Sequence, residues 1–517
     1  MTTTFIETHT PIANALGELF RRSQRAFYRP VKTLRELFPD IVASKGDMTQ
    51  IPMELTCDSR KVEHGSLFFV PESAKVDGMG FVPEAIARGA LAVVSHRPLP
   101  SRLPVTTIQV PSLPHAISDA ARRFFGMADR KLSLIGVAGS RGKTTFSHLL
   151  RHLLANAGND CGMLSTIEND FGGRIMPSHQ TTAEAIDLAG YFARMVEYGC
   201  KSAIVEISPT AIMQGRTLGL DFEAAIFTNL IAQCGQEEAV YGLWKKFFDG
   251  SLGSRPKTAI INLDDPYGQR LHGEIHEHVE TITYGTLPAC DIRVEEMAGN
   301  KSGVAFKFRL GNRRYNATLP MIGEMNVMNA LGTMAVAYSL GENVKDSAAC
   351  LADFAGVPGR LERINMGQPF EVVVDYAHTE ESLKNTLAEL RKITAGRIAT
   401  VFGCGGGHSA DKRGSITRAV MTGSDLTIAT ADNPRLEKIS EIFKMMQAGI
   451  VEGKSIEFVE DRREAIGKAI NAARTGDCVL IAGKGHEATQ EMGGRIVPFD
   501  DRTVAKEMLR GILTKQS

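Results

Sequence analysis

From about residue 130 onward the chain repeats one pattern: an apolar, β-branched run, then Gly, Asp, Asn or His, then a helical period. The runs are "LSLIGVAG", "KSAIVEIS", "AAIFTNL" and "KTAIINLDD", followed later by "EVVVDYAH", "IATVFGCGG", "DLTIATADNP" and "DCVLIAGKGH". Continuous apolar strands bounded by helices predict parallel sheets covered on both faces. Polar residues fall where each strand ends, which is where open α/β sheets bind ligands. At 517 residues the chain is too long for one core and suits about three domains.

The segment before residue 130 carries shorter strands, "GSLFFV" and "ALAVVS", around a helix at "FVPEAIARGA". This predicts a separate small α/β unit over 1–130, whose first 40 or so residues are an extension. Within that extension "FRRSQRAFYRPVKTLREL" is basic and suits a helix lying on the first domain. Between the two sets of strands, "GEMNVMNALGTMAVAYSLG" has a helical pattern and "FAGVPGRLERI" is rich in Gly and Pro. A boundary near Gly356 follows, giving a central domain over 131–355 and a last domain over 356–517. The expected fold class is α/β in three domains, the middle and last built on parallel sheets.

Composition narrows the function. Lys plus Arg number 59 and Asp plus Glu number 59. That balance predicts no nucleic-acid partner and no broad attraction to an anionic membrane. No run of about 18 apolar residues is present to span a bilayer. The N-terminus lacks a basic start followed by an apolar core, so no secretion signal is expected. Eight scattered cysteines, never spaced C-x-x-C, suit reduced thiols in a cytoplasmic protein rather than a zinc site or disulfide framework.

The most informative stretch is "GVAGSRGKTTFSHLL", a strand end, a tight turn and a helix start. Gly139 and Gly142 let backbone N–H groups face phosphate oxygens, Lys143 supplies a point charge, and the Thr144 hydroxyl can hold Mg²⁺. Val137 stands where the general phosphate-loop pattern has its first Gly. The following helix should bury Phe146, Leu149, Leu150, Leu153 and Leu154 and stop near Gly158.

The loop also fits "GTNGKTT" at five of seven positions, Gly139 to Thr145, departing at Ser140 and Arg141. With "DSRKVEHGSLFFV", "TTAEA", "GLDFEAAIFTNL", "INLDDPYG", "PGRLERI", "VVVDYAHT", "DNPRLE", "GKGHEATQ" and "FDDRTVA" in order, the chain resembles the Mur ligases of peptidoglycan synthesis. It is most similar to the branch that adds a diamino acid. The resemblance runs from about residue 55 to 505 and implies a UDP-binding module, an ATPase core and a Rossmann-like amino-acid-binding domain. It implies that ATP phosphorylates the carboxylate of a UDP-linked muramoyl peptide, and that an amino acid's amine displaces the phosphate. Phosphorylation turns a poor electrophile into one with a leaving group, so the protein mainly positions reactants and neutralises charge.

The resemblance also implies residue roles. Lys143, Thr144 and Thr145 hold phosphates, and Thr144 and Glu206 hold Mg²⁺. Asn262, Asp265, Asn326, Arg360 and Asp375 lie near the nucleotide, with His378 where the third domain meets it; an Asx turn explains Asn262 and Asp265 equally well. Ser59, Thr181, Thr182, Ser208 and Arg216 hold the UDP-muramoyl peptide. Asp432, Asn433, Arg435, Gly483 and Glu487 select meso-diaminopimelate. Arg435 can grip the distal carboxylate in bidentate fashion and Glu487 can pair with the ammonium. Lysine as the incoming amino acid lacks that carboxylate and would leave the arginine unmatched. A family lysine carbamylated by CO₂ corresponds to Lys245 by its spacing from Tyr241, with Lys246 adjacent. A monomer is expected.

Departures from the pattern cluster near the second metal. Pro209 and Thr210 of "SPTAI" replace Ser and His, and "IAQCGQEEAVY" replaces a longer segment with His and Asp. "FGCGGGHSADKRG" lacks an acidic residue after the glycines, and "VPESAKVDGMGF" departs beside the uridine. Three readings stand at this point: a ligase adding meso-diaminopimelate, a paralogue joining a different acid and amine, and a nucleotide-binding homologue without catalysis.

Overall fold

In the computed structural model, which describes residues 31–71, 77–231, 235–253, 255–275 and 277–516, all eight apolar runs after residue 130 form strands. The described chain divides into two compact units. One runs to Arg293 and takes in Leu331–Ser347; the other holds Val294–Ala330 and continues from Ala348.

The first unit contains two sheets. In the smaller, strands β1 (Ala43–Lys45), β2 (Glu54–Thr56), β3 (Ser66–Phe69), β4 (Ala92–Ser95) and β5 (Thr106–Gln109) lie in the order β1-β5-β4-β3-β2. All neighbours are parallel except β1 against β5. Leu67, Phe69, Val94 and Ile108 bury one face under the helix Leu113–Phe124. The helix over residues 20–37 falls largely outside the described residues; what is described is a short helix, Leu34–Leu37, started by a Thr33–Glu36 capping box.

The larger sheet runs β13 (Glu280–Gly285), β12 (Thr258–Asn262), β11 (Phe222–Phe227), β6 (Ser133–Ala138), β10 (Ser202–Glu206), β7 (Cys161–Leu164), β8 (Glu168–Asp170), β9 (Ile175–Pro177). From β13 to β7 every pair is parallel; β8 and β9 add an antiparallel edge. The helix Lys143–Asn156 after β6 buries Phe146, Leu149, Leu150, Leu153 and Leu154, and Gly158 follows in the left-handed region. The helix Glu237–Asp249 sets Phe247 edge-on to Phe222, and Phe248 edge-on to Phe227, arrangements that suit the aromatic quadrupole. Ala189, on the helix Ala185–Glu197, belongs to the core of the smaller sheet, with Ile186 packed against it.

Strand β14 (Ile292–Asn300) runs from the first unit into the second, which has a hairpin of β15 (Gly303–Leu310) and β16 (Arg313–Leu319) and a six-stranded sheet. That sheet is ordered β17 (Glu362–Arg363), β18 (Glu371–Asp375), β22 (Cys478–Ala482), β19 (Ile398–Cys404), β20 (Leu426–Ala431), β21 (Glu457–Phe458). Only β17–β18 is antiparallel. Residues 294–330 group with the last third of the chain in this unit.

At the ends of β20 and β22 a buried ion pair closes the second unit. Arg462 Nε and Nη2 donate to the two carboxylate oxygens of Asp501 at 2.7 and 2.8 Å. The same guanidinium donates to Ala431 O at 3.3 Å and Ala482 O at 2.9 Å, and both side chains are wholly buried. Removing one partner leaves an uncompensated charge, so Asp501→Ala should cost about 3–5 kcal/mol. Urea unfolding of the full chain checks this; a loss below about 1 kcal/mol would contradict a paired, desolvated role.

Candidate active site

The phosphate loop begins where β6 meets its helix. Gly139 has φ +126° and Gly142 has φ +84°. A Cβ on Gly139 would come within 2.2 Å of Thr228 Oγ1, so the loop's close approach to the next strand end requires a glycine there. Thr228 Oγ1 donates to Arg141 O at 2.7 Å. Asn229 accepts from Arg141 N through Oδ1 at 3.0 Å, and its carbonyl accepts from Ser140 N at 2.9 Å. Lys143 Nζ donates to Gly139 O at 2.7 Å and Ser140 O at 3.2 Å, which folds its charge back over the loop. Thr144 and Thr145 are buried in the first turn of the helix, whose leading N–H groups and dipole favour an anion. Thr228 and Asn229 lie in "TNL" and received no role from sequence; their contribution runs through backbone groups that no spacing rule exposes.

Asn262 and Asp265 fold this region. Asn262 Nδ2 donates to Thr228 O at 2.8 Å, while its Oδ1 accepts from Asp264 N at 3.0 Å. Asp265 accepts from Leu230 N, Tyr267 N and Gly268 N at 3.0–3.1 Å. Burial raises the Asp265 carboxyl above its usual range, with these backbone donors opposing. Both side chains thus form the Asx-type turns their residue types favour and also brace the strand end beside the phosphate loop.

Glu206 is fully buried at the end of β10, in register with Val137 of β6. Its Oε2 accepts from Thr166 Oγ1 at 2.7 Å, and Thr166 reaches Thr181 Oγ1 at 3.1 Å. Thr182 Oγ1 donates to Glu206 O at 2.8 Å and accepts from Ser208 N at 3.0 Å. Ser208 caps the short helix Pro209–Met213 by accepting from Ala211 N at 3.2 Å. Pro209 stands at the first helical position, which suits its fixed φ and missing N–H. Arg216 is buried, donating to Thr182 O at 2.6 Å, Gln180 Oε1 at 2.9 Å and Gln214 Oε1 at 2.8 Å, with Glu184 at 2.7 Å. Glu206, Thr181, Thr182, Ser208 and Arg216 therefore form one connected network. Sequence reasoning missed Thr166 and Gln180 in it. Arg216 also borders a cavity of about 320 Å³ between the two sheets of this unit, lined by Thr56, Asp58, Lys61, Phe124 and Glu184 among others. Ser59 lies in the smaller sheet's part of the unit and donates to Glu84 Oε2 at 2.7 Å. The "VPESAKVDGMGF" stretch falls partly outside the described residues.

Lys245 stands in an ion pair with Glu274 at 2.7 Å, on the exposed side of its helix. A carbamate on Lys245 would set a second negative charge against Glu274, so this arrangement does not fit the modified lysine. Thr144 and Glu206 offer the hard oxygen donors that Mg²⁺ takes. Among the described residues no three His, Cys, Asp or Glu side chains gather as a metal site. A Mg²⁺ here would take few protein oxygens and rely on phosphates, which is its usual habit.

In the second unit, Asp375 ends β18 and accepts from Leu361 N at 2.8 Å, Ala377 N at 3.0 Å and Thr386 Oγ1 at 3.2 Å. It holds the "PGRLER" turn to the sheet. Gly359 in that turn has φ +64°, and a Cβ there would come within 2.1 Å of the backbone at Gly485 and His486. The Arg360 guanidinium lies 4.5 Å over the Tyr376 ring, a cation–π contact. His378 pairs its Nδ1 with Tyr376 O at 2.8 Å, and its ring lies edge-on to Tyr376 at 4.7 Å. His486 is 5.0 Å from the same ring; burial first, and Arg360 beside it, push its imidazolium down to about 4. Asn326 donates to Ile322 O at 2.8 Å, near the start of its helix.

Asn433 Nδ2 donates to Glu487 Oε2 at 2.9 Å, which joins the "DNPR" and "GKGHE" loops. Asp432 and Gly483 lie beneath them: a Cβ on Gly483 would sit 3.2 Å from Asp432 Oδ2. Arg435 has φ +58°, is half exposed, and has Nε 3.6 Å from Glu491 Oε2. Its backbone is fixed by Arg435 N donating to Glu491 O at 3.0 Å and Gly493 N donating to Arg435 O at 2.6 Å. An unforeseen side chain completes the group: Lys484, wholly buried, donates to Glu487 Oε2 at 2.8 Å and Asn433 Oδ1 at 3.1 Å. Its residue type would place it in solvent, so no sequence signal marked it.

The chain matches the family descriptions "Mur ligase family, catalytic domain" over residues 53–125, "Mur ligase middle domain" over 137–337, and "Mur ligase, glutamate ligase domain" over 359–485. It is 38% identical to a UDP-N-acetylmuramoyl-L-alanyl-D-glutamate–2,6-diaminopimelate ligase of Solibacter usitatus, over 93% of this chain and 97% of that one. It is 36% identical to the protein of the same name from Geobacillus thermodenitrificans, over 93% and 99%. A solved structure bearing that name superposes with a TM-score of 0.68 at 29% identity, covering 94% of this chain and all of the other. The chain belongs to the Mur ligase family.

Proposed function

We propose that this protein is an ATP-dependent amide-bond ligase, cytoplasmic and monomeric, which adds meso-diaminopimelate to UDP-N-acetylmuramoyl-L-alanyl-D-glutamate. The observation that carries the substrate assignment is the near-full-length match to proteins named for that reaction. The geometry supports the chemistry.

Lys143 and the leading N–H groups of its helix bind the nucleotide's phosphates, and the Thr228–Asn229 segment keeps the loop open to them. Thr144 and Glu206 would hold Mg²⁺, which would supply neutralisation of the phosphate charge. Thr182, Ser208 and Arg216 orient the acid substrate. Their mutual hydrogen bonds fix rotamers in advance, which is how an enzyme lowers the entropic cost of alignment. The γ-phosphoryl moves to a carboxylate oxygen, ADP leaves, and the amine attacks the acyl carbon. The C–N bond forms as phosphate departs with its electron pair, and the amine's proton passes to solvent or a base. Asn433, Arg435 and Glu487 hold the diamino acid's distal head, Arg435 facing the carboxylate and Glu487 the ammonium.

A phosphate-release assay with UDP-muramoyl dipeptide and either diaminopimelate, lysine or no amine tests the proposal. Turnover with diaminopimelate alone is expected; turnover with neither amine would remove it. Arg435→Ala should raise the diaminopimelate KM about ten-fold or more, the scale of one lost charged hydrogen bond, with the ATP KM little changed. Equal effects on both would contradict the assigned contact. Asn229→Ala leaves Arg141 N without its acceptor and should raise the ATP KM about ten-fold, read from initial rates; an unchanged value would mean the loop does not depend on this brace.

A further inference from the structure

Lys484 is a buried cation in the second unit, hydrogen-bonded to Glu487 and Asn433. Its Nζ lies 2.8 Å from Glu487 Oε2, 3.1 Å from Asn433 Oδ1 and 3.9 Å from Asp432 Oδ1. Each neighbour is constrained by the contact. Asn433 Oδ1 accepts from both Lys484 and Glu491 N, the latter at 3.1 Å, so its amide is oriented with Nδ2 toward Glu487. Glu487 Oε2 accepts from Lys484 and from Asn433 together, which leaves Oε1 outside these bonds. Burying a lysine without need costs several kcal/mol, so a wholly desolvated ammonium joining two loops calls for a role.

We propose that Lys484 is a positioning and specificity residue for the incoming amino acid: it fixes Asn433 and Glu487 so that one carboxylate oxygen of Glu487 faces the substrate's distal ammonium. This rests on the reading of the amine site given above. The carboxylate must stay charged to attract an ammonium. Burial opposes ionisation of Glu487, and Lys484, with its hydrogen bond and that of Asn433, outweighs burial and keeps the carboxyl below its usual range. The other groups that bear on Glu487 are His486, Asp432, Arg462 and Tyr376. His486 is neutral near pH 7 because burial depresses it to about 4. Burial raises Asp432 and pushes the Tyr376 hydroxyl up to about 12. Arg462 is matched by Asp501. Lys484 is thus the cation in direct contact with Glu487.

A sign follows for the test. Without Lys484 the charge and hydrogen bond that hold the Glu487 carboxyl down are lost while burial still pushes it up, so the carboxyl should titrate higher than in the wild type. Below that raised value it is neutral and attracts no ammonium; as pH rises through it, the charge returns. Lys484→Met should therefore raise the diaminopimelate KM about ten-fold or more at pH 7, the scale of a lost charged hydrogen bond, with the ATP KM within about twofold. The ratio of the variant's KM to the wild-type KM should shrink between pH 6 and 9, and taking the ratio cancels the titration of the amine itself. In Lys484→Met/Glu487→Gln that pH dependence should vanish. A merely structural lysine would give a KM rise with a flat ratio, or equal rises for both substrates, and either result overturns the proposal. If the methionine variant does not fold, Lys484→Gln keeps a donor without the charge and carries the same expectation. Wild-type turnover with diaminopimelate is measured alongside: if it is absent, the amine-site reading itself fails and this inference falls with it.

Discussion

The site in the first unit depends on a short run of hydrogen bonds between two neighbouring strand ends. Thr228 and Asn229, just past β11, hold Ser140 and Arg141 of the loop after β6. That loop could not keep the shape on its own. Gly139 and Gly142 adopt positive φ, and glycine loses more entropy on ordering than any other residue. The bracing from β11 offsets that cost, and Asn262 from β12 braces Thr228 in turn. Three adjacent parallel strands thus pass order along their C-terminal ends to the place where phosphate would bind. The parallel register of β12-β11-β6-β10 is what brings those ends to one edge.

The same logic operates in the second unit with charge in place of amide networks. The Arg462 guanidinium draws the ends of β20 and β22 together through Ala431 O and Ala482 O. The loops that follow carry Asn433 and Glu487, and Lys484 ties those two side chains together. Two buried cations, one structural and one at the site, therefore set the distance between loops some fifty residues apart in sequence. Such pairs add little net stability over a well-packed apolar core. Their value is geometric, because a salt-bridged pair has few alternative arrangements.

Much of this was legible in sequence and some was not, for identifiable reasons. All eight long apolar strands after residue 130 and the buried stripe from Phe146 to Leu154 announced themselves by periodicity, because both faces of a parallel sheet select apolar residues. Strand β7, "CGML", escaped because it is short and carries a glycine, and β8 and β9 are an edge whose pattern is mixed. Composition carries no trace of two packing relations: Ala189 enters the core of the smaller sheet, and residues 294–330 group with the last third of the chain. Among site residues, Glu206, Thr182, Ser208 and Arg216 come together as one network. Asn262 and Asp265 are engaged in bracing turns. Lys245 lies in an ion pair with Glu274, a contact made by a side chain from a different helix that spacing could not reveal. Thr166, Asn229 and Lys484 act through contacts with backbone or with residues distant in sequence, and residue type alone carries no trace of those.

The central claim is that a substrate carboxylate is activated by phosphorylation before the amine attacks, and isotope transfer tests it most directly. The UDP-muramoyl dipeptide is labelled with ¹⁸O in both carboxylates of its glutamyl residue and turned over to completion with ATP and diaminopimelate, and the released phosphate is weighed by mass spectrometry. The account predicts one ¹⁸O atom in each phosphate, because the bridging oxygen leaves with phosphorus when the C–N bond forms. Phosphate released in step with amide formation but carrying no label would contradict it.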